Sequence, residues 1–331
     1  MRDRLKGLTL AALAALVAPA AARAQVIITA GTTVTTDAPD STHEGSLHRN
    51  TRVALSTFTA GGETYRVTGM ADRVFVRRNA VSANQSHVWY ATESSGGNRI
   101  GAYAPTFGEA LLANDFTRGV QNLFGNGVTA GAVGNVERVD LVVTAGFAAS
   151  ASLAIPVFDF GAPTSHESFK IALITGIDGA GNPTAYSSLT GTPAGWGQTN
   201  LYTHSTFAIQ RYNAGDTTTS RYTVFTGASQ GPGGIAFRLS DFNVAAGTTV
   251  YGYSLFGYDV TDGGNPANLV NWTDAARFPT NTPDGEGQAG GFDFASVNGV
   301  FFSAVPEPAS FGLAALLALA ASTALRRRAR V

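Results

Sequence analysis

The sequence predicts an all-β protein: a large β-sandwich or jelly-roll-like body with one short helical insertion, flanked by a signal peptide and a C-terminal transmembrane helix. Three observations carry that expectation. Alternating or β-branched runs, broken by Gly, Asn, Asp and Pro, recur every roughly ten to fifteen residues, the rhythm of a sandwich rather than of βαβ units. The 331 residues include 39 glycines and 13 prolines but no cysteine, and only 14% are charged, so the chain can bury a core without leaning on disulfides. Each end carries an apolar stretch beside basic residues.

Residues 1–24 have the three parts of a secretory signal. Basic Arg2, Arg4 and Lys6 precede an apolar run over 8–18, and small residues at Ala22 and Ala24 place cleavage before Gln25. The run stops at Pro19 and is too short for roughly 30 Å of hydrocarbon, which argues against a retained membrane helix.

The strand-like runs of the body are 26–36, 73–77, 87–92, 136–144, 168–175, 221–226, 249–258 and 291–302. Within 136–144, Val139, Leu141 and Val143 face one side and Asp140 and Val142 the other, as in a half-buried strand. Ala110, Leu111, Leu112 and Phe116 are spaced for a short helix within 109–124, limited by Gly119 and by Gly125-Asn126-Gly127. The body reads as one large sandwich over 25–304, or as two subdomains with a boundary near 125–134.

Residues 305–331 close the chain with Val305-Pro306-Glu307-Pro308, an apolar Ala/Leu stretch over 309–325, and Arg326, Arg327, Arg328 and Arg330. About seventeen residues rising 1.5 Å each make roughly 25 Å of helix, enough to cross a bilayer with snorkelling arginines. The basic cluster is expected to stay on the cytoplasmic side and leave the body outside.

The net charge of −1 hides an uneven distribution. Eight of the 22 basic residues lie in the two terminal segments, which leaves residues 25–305 with 14 basic and 21 acidic side chains, a net of −7. An acidic body argues against nucleic acid as a partner. The lack of cysteine excludes thiolate catalysis and zinc–thiolate sites.

The order Pro-Glu-Pro, apolar span, arginine cluster, chain end resembles the PEP-CTERM sorting signal, which a membrane-embedded, protease-like exosortase reads in many Gram-negative bacteria. The resemblance covers residues 306–331 only. It implies that Pro306, Glu307 and Pro308 are the recognition motif and that Arg326, Arg327, Arg328 and Arg330 are the membrane-retention charges. The two prolines lock φ, and Pro308 biases Glu307 away from helix, so a processing enzyme would meet an extended segment. An anchor that is never processed is the alternative. More loosely, 122–126, 135–140, 169–172 and 178–184 resemble segments of exported bacterial adhesin-like surface proteins, which implies an extracellular β-domain without an active site.

Candidate chemistry is sparse. Gly227-Ala228-Ser229-Gln230-Gly231 matches a nucleophile elbow, but Ser229 would need a helix directly after it, and Gly231-Pro232-Gly233-Gly234 cannot start one. The segment reads as a glycine-rich loop. His43 and His48 stand at i and i+5, one place too far apart to share a helix face over zinc. His87, His166 and His204 are isolated.

Asp178 with Asn182, Asp259 with Asp262 and Asn265, and Asp284 with Glu286 put hard oxygens on Gly-rich turns. Ordinary turn chemistry accounts for them, with structural calcium as the alternative. The last third is rich in aromatics: Tyr251, Tyr253, Phe256, Tyr258, Trp272, Phe278, Phe292, Phe294, Phe301 and Phe302. Tyr251 and Tyr253, and Phe292 and Phe294, sit two apart and are expected to share a sheet face, as core or as a sugar-binding platform, with core the better reading.

These features lead to an expectation of a non-enzymatic exported envelope or extracellular-matrix protein, without a catalytic residue or cofactor, acting in a surface layer, biofilm or adhesion. A secreted hydrolase acting on an extracellular polymer and a carbohydrate-binding surface module are the alternatives. The expected partners are the Sec translocon and an exosortase-type enzyme, with exopolysaccharide as an open candidate. The chain would be held transiently in the inner membrane before reaching the envelope or the exterior.

Overall fold

The computed structural model describes residues 25–37, 50–79, 88–95, 98–99, 107–121, 123–124, 136–161, 167–193, 196–197, 201–202, 206–212, 222–225, 231–279 and 292–305. The first elements are β1 (Val26–Thr36), β2 (Arg52–Ala60), β3 (Glu63–Met70), β4 (Arg73–Arg78), β5 (Val88–Ser95), β6 (Asn98–Arg99), the helix α1 (Phe107–Leu111) and β7 (Arg118–Gln121). Then come β8 (Val136–Ala148), β9 (Leu153–Gly161), β10 (Phe169–Ile177), β11 (Pro183–Tyr186) and β12 (Thr190–Gly191). The last are β13 (Thr206–Tyr212), β14 (Tyr222–Phe225), β15 (Gly231–Arg238), β16 (Thr249–Gly257), β17 (Phe294–Ala295) and β18 (Val300–Ala304).

The all-β expectation holds, but the larger sheet is not the open half of a sandwich. Among its twelve strands, β9–β15–β1–β2–β3–β18 forms a closed antiparallel ring. Phe302 of β18 is the point of closure, opposite Val67 of β3 on one side and Ala154 of β9 on the other. Closure removes two free edges that an open sheet would expose. From the other end of the same β9 edge, β17 leads into the extension β7–β5–β13–β14. The second sheet, β11–β10–β16–β8–β4 with β12 on β10, is antiparallel throughout.

Three apolar clusters define the layers. Inside the ring lie Ile28, Phe58, Tyr65, Phe158, Phe160 and Phe302, with the Phe58 ring 4.9 Å from Tyr65 and 4.8 Å from Phe302. Between the ring wall and the second sheet, Ile155, Val157, Ile235 and Phe237 meet Val139, Leu141, Phe169, Ile171, Tyr253 and Leu255. The outer face of the second sheet, with Val142, Ala172, Ile174 and Phe256, is covered by Val260, Leu269 and Phe278 from the segment 258–279. β9 is therefore buried on both faces, so its sequence lacks the apolar/polar alternation that marks a strand.

The sequence expectations fare unevenly. β1 occupies 26–36 as expected, whereas 291–302 divides into β17 and β18 around a turn at Gly299, where φ is +85°. The helix expected within 109–124 is shorter and starts earlier, at Phe107–Leu111. It stops because Asn114 and Asp115 turn away to bond β2. Leu55 N–H donates to Asn114 Oδ1 (2.9 Å), Asn114 Nδ2 donates to Leu55 O (2.8 Å), and Val53 N–H donates to Asp115 Oδ1 (3.1 Å). Residues 125–134 lie outside the described residues, and the strands before and after them share both sheets.

The Gly-rich start of β15, read from sequence as loop, is a buried strand between β9 and β1. A Cβ on Gly234 would stand 2.6 Å from the Phe158 ring, so glycine here makes room for an aromatic inside the ring rather than for a turn.

On the β9 edge between β18 and β17, the Asn298 side chain takes the place of a strand. Phe158 N–H donates to Asn298 Oδ1 and Asn298 Nδ2 donates to Phe158 O, both at 3.0 Å and both buried. Asn298→Ala leaves two buried backbone groups without partners, at about 1–3 kcal/mol each. The expected loss is about 2–5 kcal/mol in urea unfolding, and an unchanged midpoint would remove Asn298 from this role.

Candidate functional site

The residues singled out for export and sorting, including Ala22, Ala24, Pro306, Glu307, Pro308 and Arg326, Arg327, Arg328 and Arg330, lie outside the described residues, as do Ser229, all five histidines, Asp284 and Glu286. Their neighbours are informative. Gln25 Nε2 donates to Gly191 O (3.0 Å), and Val305 N–H donates to Thr64 O (2.8 Å), so the folded body is fastened up to both predicted processing points. From Gly231, two residues beyond Ser229, the chain forms β15, a strand where a nucleophile elbow requires a helix. Among the described residues no helix is long and apolar enough to cross a membrane.

Asp178 and Asp262 accept from amides of their own turns. Asp178 Oδ1 accepts from Ala180 N–H (2.9 Å) and Asn182 N–H (2.8 Å), and Oδ2 accepts from Asn182 Nδ2 (2.9 Å). These bonds, the Asn182 side chain first, hold its carboxyl below the usual carboxylate range. Asp262 Oδ1 accepts from Gly264 N–H, and Asn265 Oδ1 from Ala267 N–H as cap of a short 3-10 turn.

Most of the aromatic crowd is core. Tyr253, Phe256, Phe278, Phe292, Phe294, Phe301 and Phe302 are buried, and the Phe292 and Phe294 rings meet edge to face at 6.1 Å on one side, as expected. Tyr251 and Tyr253 do not share a face. A bulge between Val250 and Gly252, with Gly252 at φ +122°, sends Tyr253 into the inter-sheet core and Tyr251 to the outer face.

The principal polar site is one that sequence reading missed. Asp140, fully buried on the outer face of β8, sits between Arg77 of β4, Arg138 two residues back on its own strand, Ser254 of β16 and Tyr186 of β11. Arg77 Nε donates to Asp140 Oδ2 (2.9 Å), Arg138 Nη2 donates to the same oxygen (3.1 Å), and Arg138 Nε lies 2.6 Å from Oδ1 as a charge contact. Ser254 Oγ (2.6 Å) and Tyr186 OH (3.2 Å) donate to Oδ1. Burial first, then the Asp140 charge, push the Tyr186 hydroxyl well above its ordinary value.

Arg138 also donates to the carbonyls of Leu269 and Val270, and both guanidiniums lie against the Trp272 ring. The network therefore ties the covering segment 258–279 to the sheet. Its only sequence signal was the alternation Arg138, Asp140, Val142 on one strand face.

Four further acidic groups, Asp115, Glu137, Asp159 and Asp293, are buried among the described residues. Asp159, at the end of β9, accepts from Asp293 N–H (2.7 Å) and Glu167 N–H (3.2 Å), and burial followed by the Glu167 charge raises its pKa well above normal. Glu137, 1% exposed at the start of β8, is pushed up to about 8 by burial and then by Asp259.

Asp140→Ala leaves the buried Arg138 and the half-buried Arg77 uncompensated and is expected to cost about 3–5 kcal/mol in chemical denaturation. An effect no larger than that of an ordinary surface substitution would show that the clamp does not hold the cover. Asp159 holds its proton more tightly when folded, so its contribution is complete below the unfolded value of 3.8 and is lost as pH rises from there through the higher folded value. Asp159→Asn, which mimics the protonated form, is expected to flatten that fall in melting temperature between acid and neutral pH. A parallel fall in both proteins would assign the effect elsewhere.

Comparison with family models, with curated proteins and with solved structures finds no match to this chain.

Proposed function

We propose that the chain is a non-enzymatic exported protein of the cell envelope or extracellular matrix, sorted through its C-terminal tail by an exosortase-type enzyme and acting in a surface layer, biofilm or adhesion. The observation that carries this reading is the order Pro306-Glu307-Pro308, apolar span, arginine cluster, placed directly after the last strand of the body. A leader ending before Gln25 matches it at the other end, since β1 begins at Val26.

The outside of the ring suits display. Thr32 stands opposite Thr57 and Thr59 opposite Thr64 on neighbouring strands, and Thr29, Thr32, Thr36, Thr64 and Thr68 are exposed. Such rows of hydroxyls on a sheet give short, repeated hydrogen-bonding positions for a polysaccharide, while the net acidic body stays soluble. The cysteine-free chain holds its shape without a disulfide.

Cell fractionation of the full chain beside a version lacking residues 305–331 tests the tail as an address. The expected outcome is a shift of the truncated protein away from the location of the full chain, with mass spectrometry of the mature full chain finding both termini trimmed. An identical location for both versions, with Arg326–Arg330 intact in the mature protein, would overturn the sorting reading.

A further inference from the structure

We propose that Glu137 and Asp259 are the protein ligands of a site for a hard divalent cation, calcium by its chemistry, at the end of the second sheet where β8 begins and β16 ends. The proposal is independent of the sorting reading. Arg138 pairs with Phe256, which brings Glu137 alongside Gly257, and Asp259 follows in the turn. Asp259 Oδ1 lies 3.0 Å from the place a Cβ on Gly257 would take, so the missing side chain lets the carboxylate fold back over the strand end.

Glu137 is 1% exposed, its Oε1 has no hydrogen-bond donor, and Asp259 Oδ2 is equally buried and equally without one. Two like-charged oxygens enclosed without donors are among the most unfavourable arrangements in a protein interior. A bound cation or a proton resolves it.

The nearest cation is Lys170 of β10, which feels the charges of both Asp259 and Asp262. Lys170 does not relieve Asp259 Oδ2, because its Nζ donates to Val260 O (2.6 Å) and lies over the Tyr258 ring. Hard carboxylate oxygens suit calcium rather than a soft metal. The sequence pointed to Asp262 and Asn265 as co-ligands of Asp259. The fold gives those two to their own turn amides and brings Glu137 in their place.

Calorimetric titration of the purified full chain with calcium chloride, beside Glu137→Gln, Asp259→Asn and Asp178→Asn, tests the site. Expected is one calcium per chain with Kd on the order of 10⁻⁴ M, at least about tenfold weaker in the first two variants and unchanged in Asp178→Asn. No binding heat, or binding undiminished in Glu137→Gln and Asp259→Asn, would overturn the proposal. Asp259 is the less buried partner, so Asp259→Asn gives the same answer should Glu137→Gln fail to fold.

Discussion

The closed ring depends on how the free edge of β9 is satisfied. That edge carries β18 at its start and β17 at its end, and neither reaches Phe158 in the middle. The Asn298 amide supplies there the donor and acceptor that a continuous strand would provide, so the chain can turn out of one sheet segment and into another without orphaning a buried peptide group. Asn114 performs the same substitution for Leu55 where β3 leaves the edge of β2. Ser187 does so for Leu173 between β11 and β12, accepting from its N–H through Oγ while donating its own N–H to its carbonyl. Short polar side chains thus let a sheet of short, irregular strands stay buried.

These substitutions explain what could be read in the chain and what could not. A strand with a wet face, such as β1, advertises itself by alternation and by turn residues, and it falls where the pattern places it. β9 and β15 are buried on both sides, and β15 begins Gly-Pro-Gly-Gly, so local propensity argues for a loop while the tertiary position demands a strand. The helix within 107–111 is short because Asn114 and Asp115 find better partners on β2, a contact some sixty residues away that no local rule contains.

The candidate site was legible to a smaller degree. Turn acids were visible because Asp, Gly and Asn cluster in sequence, and Asp178 and Asp262 bond amides of their own turns, while Glu137 becomes notable only when β8 and β16 pair. The Asp140 clamp joins four strands and a covering segment, and Arg77, Tyr186 and Ser254 carry no motif that relates them. Such a network is recoverable only from register. Tyr251 and Tyr253 show the converse error, a period of two broken by a single glycine-centred bulge.

A chain without cysteine has to close its fold by other means, and here each layer has its own. The ring has β18 hydrogen-bonded on both edges, the inter-sheet core is pinned where Gly299 N–H donates to the Tyr253 hydroxyl, and the outermost cover is held by Arg138 through the carbonyls of Leu269 and Val270. The ends of the body fit the same logic. β1 and β18 are both ring members, while Gln25 and Val305 each add one bond at the margin. A cut before residue 25 or after 305 leaves every ring pairing intact, whereas one made five residues earlier at the C-terminal end deletes β18, reopens the edges of β3 and β9 and exposes Phe58 to water. The margin between a harmless cut and a destructive one is therefore a single short strand.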